Sequence, residues 1–359
     1  MDNYSGTKPV AEQHAFDTAA LQRHLEDRLP GFSGPLTVEQ FKGGQSNPTY
    51  KLVTPSRSYV MRSKPGPAAK LLPSAHAIDR EFTVMKALHG SGVPVPQMHL
   101  LCEDENVIGR AFFVMEFMQG RVLWEQSLPD FDKPLRGAIY DEMNRVIAAL
   151  HRVDSAAAGL TAYGKPGNYF DRQIGRWSKQ YLASITEPIE AMDRLMAWLP
   201  AHMPASARDE NQVSVVHGDF RLDNLVFHPT EPRVIAVLDW ELSTLGHPLA
   251  DFSYHCMSWH IAPGSFRGIG GLDLPALGIP DENAYVRRYC ERTGRPDPTA
   301  VMADWNFYMA YNLFRMAGIL QGIAKRVVDG TASSTQAKQA GAGARPLAEM
   351  GWQIAQRAA

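Results

Sequence analysis

Cysteine is scarce in this sequence: three residues in 359, at Cys102, Cys256 and Cys290. An odd, widely spaced set makes no disulfide framework, so a reducing, cytoplasmic location is the expectation. No apolar run approaches the ~18 residues of a membrane-spanning helix. The opening residues, Met1-Asp2-Asn3-Tyr4-Ser5-Gly6, lack the basic and apolar stretches of a signal peptide. A surplus of one charge is also missing: 36 Lys and Arg face 38 Asp and Glu, a net of −2. That balance excludes a strongly basic nucleic-acid scaffold and an acidic solvating tail. Neither nucleic acid nor membrane is therefore expected as a partner. The chain also has no Gly-x-Ser-x-Gly nucleophile elbow, no Gly-x4-Gly-Lys-Ser/Thr loop and no internal repeat.

What is present suits a large folded core. Apolar residues make up 45% of the chain and charged residues 21%, and the length suits two domains or one domain with two lobes. Apolar spacing predicts a helix over 14–29, stopped by Pro30-Gly31. Strands are predicted over 36–42, 50–54 and 58–63, then a helix over 76–89 whose Ile78, Phe82, Met85 and Leu88 form one stripe. Two more strands, 98–102 and 111–118, precede a composition change at Gly120. Beyond it helices dominate, over 133–153, 169–185, 189–199, 284–293, 301–328 and 334–356. They are interrupted by short apolar runs at 213–216, 225–227 and 234–238. The fold class read from this order is α+β. A helical extension (1–30) leads into a small antiparallel β lobe with one main helix (31–117), then a larger helical lobe with a small β insert (118–359).

The densest polar cluster is His217-Gly218-Asp219-Phe220-Arg221-Leu222-Asp223-Asn224, set between apolar runs. Fifteen residues after Asn224 a third apolar run ends at Asp239-Trp240-Glu241. If the three runs are consecutive strands of a hairpin, their polar ends lie side by side and Asp219, Asn224 and Asp239 converge. Converging oxygen donors suit Mg²⁺, which takes one or two carboxylates together with substrate phosphates. The Asp-x4-Asn spacing from Asp219 to Asn224 is that of a kinase catalytic loop, where the Asp takes the acceptor proton and the Asn holds metal. Gly218 permits a tight turn before Asp219. His217 reads as a buried brace of the loop, with a catalytic role as the alternative, and Asp251 as an anchor from a following helix.

These residues, with Leu238-Asp239-Trp240, resemble the Brenner-type motif of the aminoglycoside phosphotransferase and choline kinase superfamily, over about 36–326. Asp79-Arg80-Glu81-Phe82, Phe113-Val114-Met115-Glu116 and the run 314–323 are similar more narrowly to the kinase-like domain fused to some acyl-CoA dehydrogenases and its stand-alone bacterial relatives. The resemblance implies a protein-kinase-like bilobal fold and ATP- and Mg²⁺-dependent phosphorylation of a small-molecule hydroxyl, with a hydroxyacyl-CoA as the associated acceptor class. It implies Asp219 as catalytic base or hydroxyl orienter and Asn224 and Asp239 as Mg²⁺ ligands.

For the nucleotide, Gly43, Gly44, Gln45, Ser46 and Asn47 form a loop whose N–H groups can cover phosphates. Arg62 stands where kinases carry the phosphate-binding Lys, with Lys64 as a substitute and Glu81 as the partner carboxylate. Glu116, Phe117 and Met118 would form the joint that binds adenine through its backbone. Among the late helices, Tyr308, Tyr311 and Arg315 repeat at helical spacing and could face the acceptor. From Ile261 onward eleven Lys and Arg face eight Asp and Glu, a net of +3, which favours an anionic acceptor over a polycationic antibiotic. Two other readings remain: phosphorylation of aminoglycosides or other antibiotics, and a nucleotide-binding module without turnover, which the Arg62 departure motivates.

Overall fold

The computed structural model describes residues 6–42, 47–66, 77–165, 167–264, 267–295, 297–331 and 337–358. The chain divides into two compact units. The first comprises Met1–Trp124, Ser155–Tyr163 and Arg221–Ser243; the second comprises Glu125–Asp154, Gly164–Phe220 and Thr244–Ala359. Among the described residues the strands run, in chain order, β1 (Thr7–Lys8), β2 (Thr37–Phe41), β3 (Thr49–Val53), β4 (Ser58–Ser63), β5 (Met98–Cys102), β6 (Phe112–Glu116), β7 (Arg121–Val122), β8 (Ser214–Val216), β9 (Leu225–Phe227), β10 (Val234–Val237) and β11 (Thr244–Gly246).

Unit one is built on a six-stranded antiparallel sheet in the order β1-β2-β3-β4-β6-β5. Alternation along a strand sends successive side chains to opposite faces. Tyr59 and Met61 of β4 join Tyr50, Leu52, Phe112 and Val114 in one apolar layer, closed by Leu21 and Leu25 of the helix Thr18–Arg28. That helix begins at Asp17, whose carboxylate accepts from the Ala20 N–H. Arg62, next to Met61, turns to the opposite face, where the helix Ile78–Leu88 lies and Phe82 packs 6.2 Å from Phe113. A second sheet of unit one, β10-β9-β7, pairs Val237 with Leu225 and Val122 with Val226. Gly120, just before it, has no room for a side chain: a Cβ there would lie 2.3 Å from the Phe227 carbonyl oxygen.

Unit two is helical around Trp305–Val328, whose residues are buried on nearly every side through its first four turns. The helices Tyr169–Ser184, Glu190–Ala201, Pro248–Cys256 and Ala344–Ala355 pack on it, and Lys133–His151 packs on Glu282–Thr293. Asp132 and Asp281 cap two of them by accepting from Leu135 N–H and Ala284 N–H. A two-stranded sheet, β11-β8, completes the unit.

Three expectations change. The run β8 does not form a hairpin with β9; it pairs with β11, a three-residue strand too short to leave a periodic signal, while β9 pairs with β10 and β7. The helix expected over 301–328 is two helices, Pro298–Ala303 and Trp305–Val328. The first starts earlier because Asp297 caps it and Pro298 fills its opening turn. The last helix divides into Ala337–Ala342 and Ala344–Ala355, with Gly341 and Gly343 at the break. A Cβ on either would come within 2.9 Å of Ala324 or Leu320, so glycine there permits close packing on the central helix.

Candidate active site

Unit one gathers charge around Arg62. Its Nε lies 3.2 Å from Glu81 Oε2, and its Nη2 lies 2.8 Å from Asp239 Oδ1 and 3.4 Å from Glu241 Oε2. Asn47, itself buried, donates to Glu81 Oε1 at 3.1 Å. Glu81 lies deeper than the edge position its helix spacing suggests, at 1% exposure. Burial pushes its carboxyl up to about 7, against the opposing pull of Arg62. Burial works against the Arg62 guanidinium too, yet Glu81, Asp239 and Glu241 together raise its pKa. Arg62 pairs with three carboxylates at once, which a planar fork does better than an ammonium.

Asp239 and Asn224 come to one end of the β9–β10 pair. Leu238 N–H donates to the Asn224 carbonyl at 2.8 Å, which closes the ladder between them. Asp239 adopts a left-handed backbone, φ 66° and ψ 59°, a conformation that costs a non-glycine residue on the order of 1 kcal/mol and recurs at functional sites. Arg80, on the helix of Glu81, braces the turn that follows. It donates to the Tyr163 and Ser243 carbonyls at 2.8 and 3.3 Å and lies over the Tyr163 ring. The Tyr163 hydroxyl meets Ser243 Oγ at 2.6 Å. Sequence reasoning missed Glu241, Tyr163 and Ser243. Glu241 follows directly on the Asp239-Trp240 pair, the one local signal that could have found it.

The donors here are oxygens, and three carboxylates surround one guanidinium. These are Glu81, Asp239 and Glu241, and Asn224 adds an amide oxygen at the end of the β9–β10 pair. Asn224 and Asp239 are hard oxygen donors of the kind Mg²⁺ takes together with phosphate oxygens, while among the described residues no group of three or more His, Cys, Asp or Glu is placed to hold a metal ion by itself. Farther along unit one, Glu116 N–H donates to the Gln97 carbonyl at 2.9 Å, and Lys51 Nζ sits 4.7 Å from the Phe117 ring centre. Met118 follows β6 and is partly exposed. Gly43, Gly44, Gln45 and Ser46 lie outside the described residues.

Unit two holds the start of the polar loop. Strand β8 delivers His217 to full burial, and Gly218 turns with φ 82°, where a side chain would be strained. Both N–H groups point to Asp251: His217 N to Oδ2 at 2.7 Å and Gly218 N to Oδ1 at 2.8 Å. His151 Nε2 adds a third contact to Oδ2 at 3.2 Å, while its Nδ1 meets the Tyr289 hydroxyl at 2.7 Å. Burial alone would raise the Asp251 pKa. The hydrogen bonds from His151 and from the His217 N–H outweigh it and lower the value. Burial in turn lowers His151, which fits a neutral ring donating from Nε2 and accepting at Nδ1. Asp251 therefore anchors the loop, and His217 braces it by accepting the Asp219 N–H at Nδ1, 3.2 Å.

Asp219 Oδ1 accepts the Tyr254 hydroxyl at 2.5 Å. Arg315 donates to the Gly218 carbonyl at 2.7 Å and lies 5.0 Å from the Tyr254 ring centre. Tyr308 and Tyr311 are buried beside Phe170, and the Tyr308 hydroxyl meets Ser206 Oγ at 2.7 Å. The structure thus assembles Arg62, Glu81, Asn47, Asn224 and Asp239 in unit one, and Asp219 and Arg315 in unit two.

Comparison with known proteins agrees with these motifs. Residues 37–300 match the phosphotransferase enzyme family. Mouse acyl-CoA dehydrogenase family member 10 is 47% identical over 97% of this chain, which covers 32% of that protein. The chain spans less than half the length of the acyl-CoA dehydrogenase relatives it matches. A provisionally named aminoglycoside phosphotransferase from Ralstonia eutropha has a crystal structure with a TM-score of 0.87 at 64% identity, covering 96% of this chain and 99% of that one. Choline kinase from Cryptosporidium parvum, at 11% identity, shares the fold with a TM-score of 0.63 over 95% of each chain. The resemblance to the kinase-like domain of acyl-CoA dehydrogenase family members, drawn from the motifs, is borne out, and the fold is the kinase-like α+β one. With the family match running through both the strands around Arg62 and the loop of Asp219, this chain belongs to the phosphotransferase enzyme family.

Proposed function

We propose that this chain is a small-molecule kinase that moves the γ-phosphoryl group of ATP to a hydroxyl of an anionic acceptor of the hydroxyacyl-CoA class. The observation that carries the reading is Arg62 bound at once to Glu81 and Asp239, an arrangement suited to holding nucleotide phosphates beside a metal-ligating carboxylate. Asn224 and Asp239 would hold Mg²⁺, which supplies neutralisation of phosphate charge when bound. Arg62 offers its guanidinium to the phosphates, and Glu81 keeps it oriented. Asp219 accepts the proton of the acceptor hydroxyl as that oxygen becomes a phosphate ester. The residues Gly43 to Asn47 would cover the phosphates, and Glu116 to Met118 would receive the base.

The acceptor class rests on two supports. The dehydrogenase relatives are named for acyl-CoA chemistry, and the last part of the chain carries a net positive charge that suits an anionic partner. The likeness to the Ralstonia eutropha protein favours an aminoglycoside as the second reading. A coupled ADP-release screen with Mg-ATP across hydroxyacyl-CoAs, amino alcohols, sugars and aminoglycosides decides among these. The expected outcome is turnover with a hydroxyacyl-CoA that Asp219→Ala lowers on the order of 10²–10⁴-fold. Turnover with aminoglycosides alone transfers the assignment to the second reading, and ATP binding without product on any hydroxyl leaves a non-catalytic nucleotide-binding module.

A further inference from the structure

A proton acceptor works only if its carboxylate is held in one orientation, and a loop aspartate on a freely rotating side chain is not. In unit two, one buried cation touches two of the groups that set where the Asp219 carboxylate lies. Arg315, on the helix Trp305–Val328, is 8% exposed. Its Nη2 donates to the carbonyl of Gly218, the residue immediately before Asp219, at 2.7 Å. The same guanidinium packs 5.0 Å from the ring centre of Tyr254, on the helix Pro248–Cys256, and 5.7 Å from that of Trp177. Tyr254 is itself 5% exposed, and its hydroxyl donates to Asp219 Oδ1 at 2.5 Å.

We infer that Tyr254 and Arg315 are a positioning pair for Asp219. Arg315 fixes the main-chain turn from below and stacks on the ring that carries the hydroxyl; the hydroxyl fixes the carboxylate. Arg315, read from its helical spacing as an acceptor contact, here acts through Asp219. The chemistry favours this arrangement on three grounds. A guanidinium is planar and can donate at its edge while its face covers an aromatic ring, so one residue makes both contacts. A phenol bonded to a carboxylate is a short, charge-assisted hydrogen bond that restricts rotation about the side chain. Tyr254 lies on the same helix as Asp251, three residues away, so a single helix holds the loop by its backbone at Asp251 and by its side chain at Tyr254.

This inference rests on the kinase reading, and its test separates the two. The rate of ADP release from Mg-ATP, with a hydroxyacyl-CoA as acceptor and with water alone, is measured for Tyr254→Phe, Asp219→Ala and the double variant. Tyr254→Phe keeps the ring and its stacking. It is expected to lower kcat roughly 10- to 100-fold, the scale of misplacing a catalytic group, with KM for ATP and the thermal midpoint nearly unchanged. In the Asp219→Ala background the same substitution should cost nothing further, since the hydroxyl then has no carboxylate to hold. An equal loss in both backgrounds, or an unchanged kcat in Tyr254→Phe, overturns the positioning role while leaving the kinase reading in place. A full wild-type rate in Asp219→Ala, or no phosphorylated product from the wild-type protein, overturns the kinase reading and the inference with it. Arg315→Lys keeps the charge but loses the planar face. It should reproduce the kcat loss and the same non-additivity with Asp219→Ala, and it supplies the cycle should Tyr254→Phe not fold.

Discussion

Arg62 and Asp239 are 177 residues apart in the chain and 2.8 Å apart in space. The same guanidinium also holds Glu81, so a strand residue, a helix residue and a loop residue share one cation. Removing that cation should do more than weaken a surface pair. Arg62→Ala leaves Glu81 buried without its counter-ion, and breaking such a buried pair costs about 3–5 kcal/mol. The loss is tempered because Glu81, with its carboxyl at about 7, can take up a proton. Urea unfolding is expected to show the destabilisation, and adding Glu81→Gln to Arg62→Ala should recover part of it. Equal stability of the wild-type and Arg62→Ala proteins would contradict the shared-cation account.

Asp239 sits in a left-handed backbone and faces Arg62 through one oxygen. Asp239→Asn removes a negative charge from the proposed metal site without changing its shape. Calorimetric titration of Mg-ATP should give binding weaker by about tenfold, the scale of one lost charge-assisted contact. Asp219→Ala should bind Mg-ATP as the wild type does, because that residue is assigned to the acceptor proton.

Asp251 receives two backbone N–H groups and an imidazole N–H with two carboxylate oxygens. An asparagine has one oxygen and an NH₂ group that cannot accept. Asp251→Asn must therefore turn donors against the N–H of His217 or Gly218. The expected cost is about 2–4 kcal/mol, from an unsatisfied buried donor and the lost charge. Amide exchange at His217 and Gly218 should accelerate in that variant more than exchange in the helix Glu282–Thr293.

Acid should weaken unit two. Burial lowers His247 and His255 to about 4, from an ordinary 6.5. Below pH 6.5 the unfolded chain binds protons at these positions that the folded chain refuses. Stability is therefore complete above about pH 6.5 and falls as pH drops toward 4, by roughly 2 kcal/mol per histidine at pH 5. Thermal unfolding between pH 7 and pH 5 should show a falling midpoint, with a shallower slope in His255→Gln. A midpoint that rises on acidification would show that neither ring is neutral in the fold.

Much of the fold was legible because its signals are local. Apolar periodicity and Pro or Gly punctuation placed most helices and strands within a few residues, and the loop 217–224 could be read because its residues are contiguous. The elements that were missed are short: β1, β7 and β11 span two or three residues each and carry no periodicity. With β11 unseen, β8 had no visible partner other than β9, so the hairpin expectation failed there. The braces of the site were hidden for a different reason. Nothing near Tyr163 marks it as the partner of Arg80 and Ser243, and nothing near Tyr254 marks it as the partner of Asp219, because those contacts join separate elements.

By itself the amino-acid sequence determined the class of the protein. The spacing from His217 to Asn224, followed by Asp239, is a chemical pattern that survives without coordinates, since each role depends on residue type and order. Tertiary structure decided which side chains meet. Between Arg62 on β4 and Lys64 just beyond its end, the register of β4 and the approach of the helix Ile78–Leu88 set Arg62 against Glu81. Likewise, Arg315 is a helix residue with helical spacing in the sequence, and only packing shows it beneath the turn of Asp219. Ion pairs and hydrogen bonds between distant segments are set by packing geometry, and that geometry is a property of the whole fold.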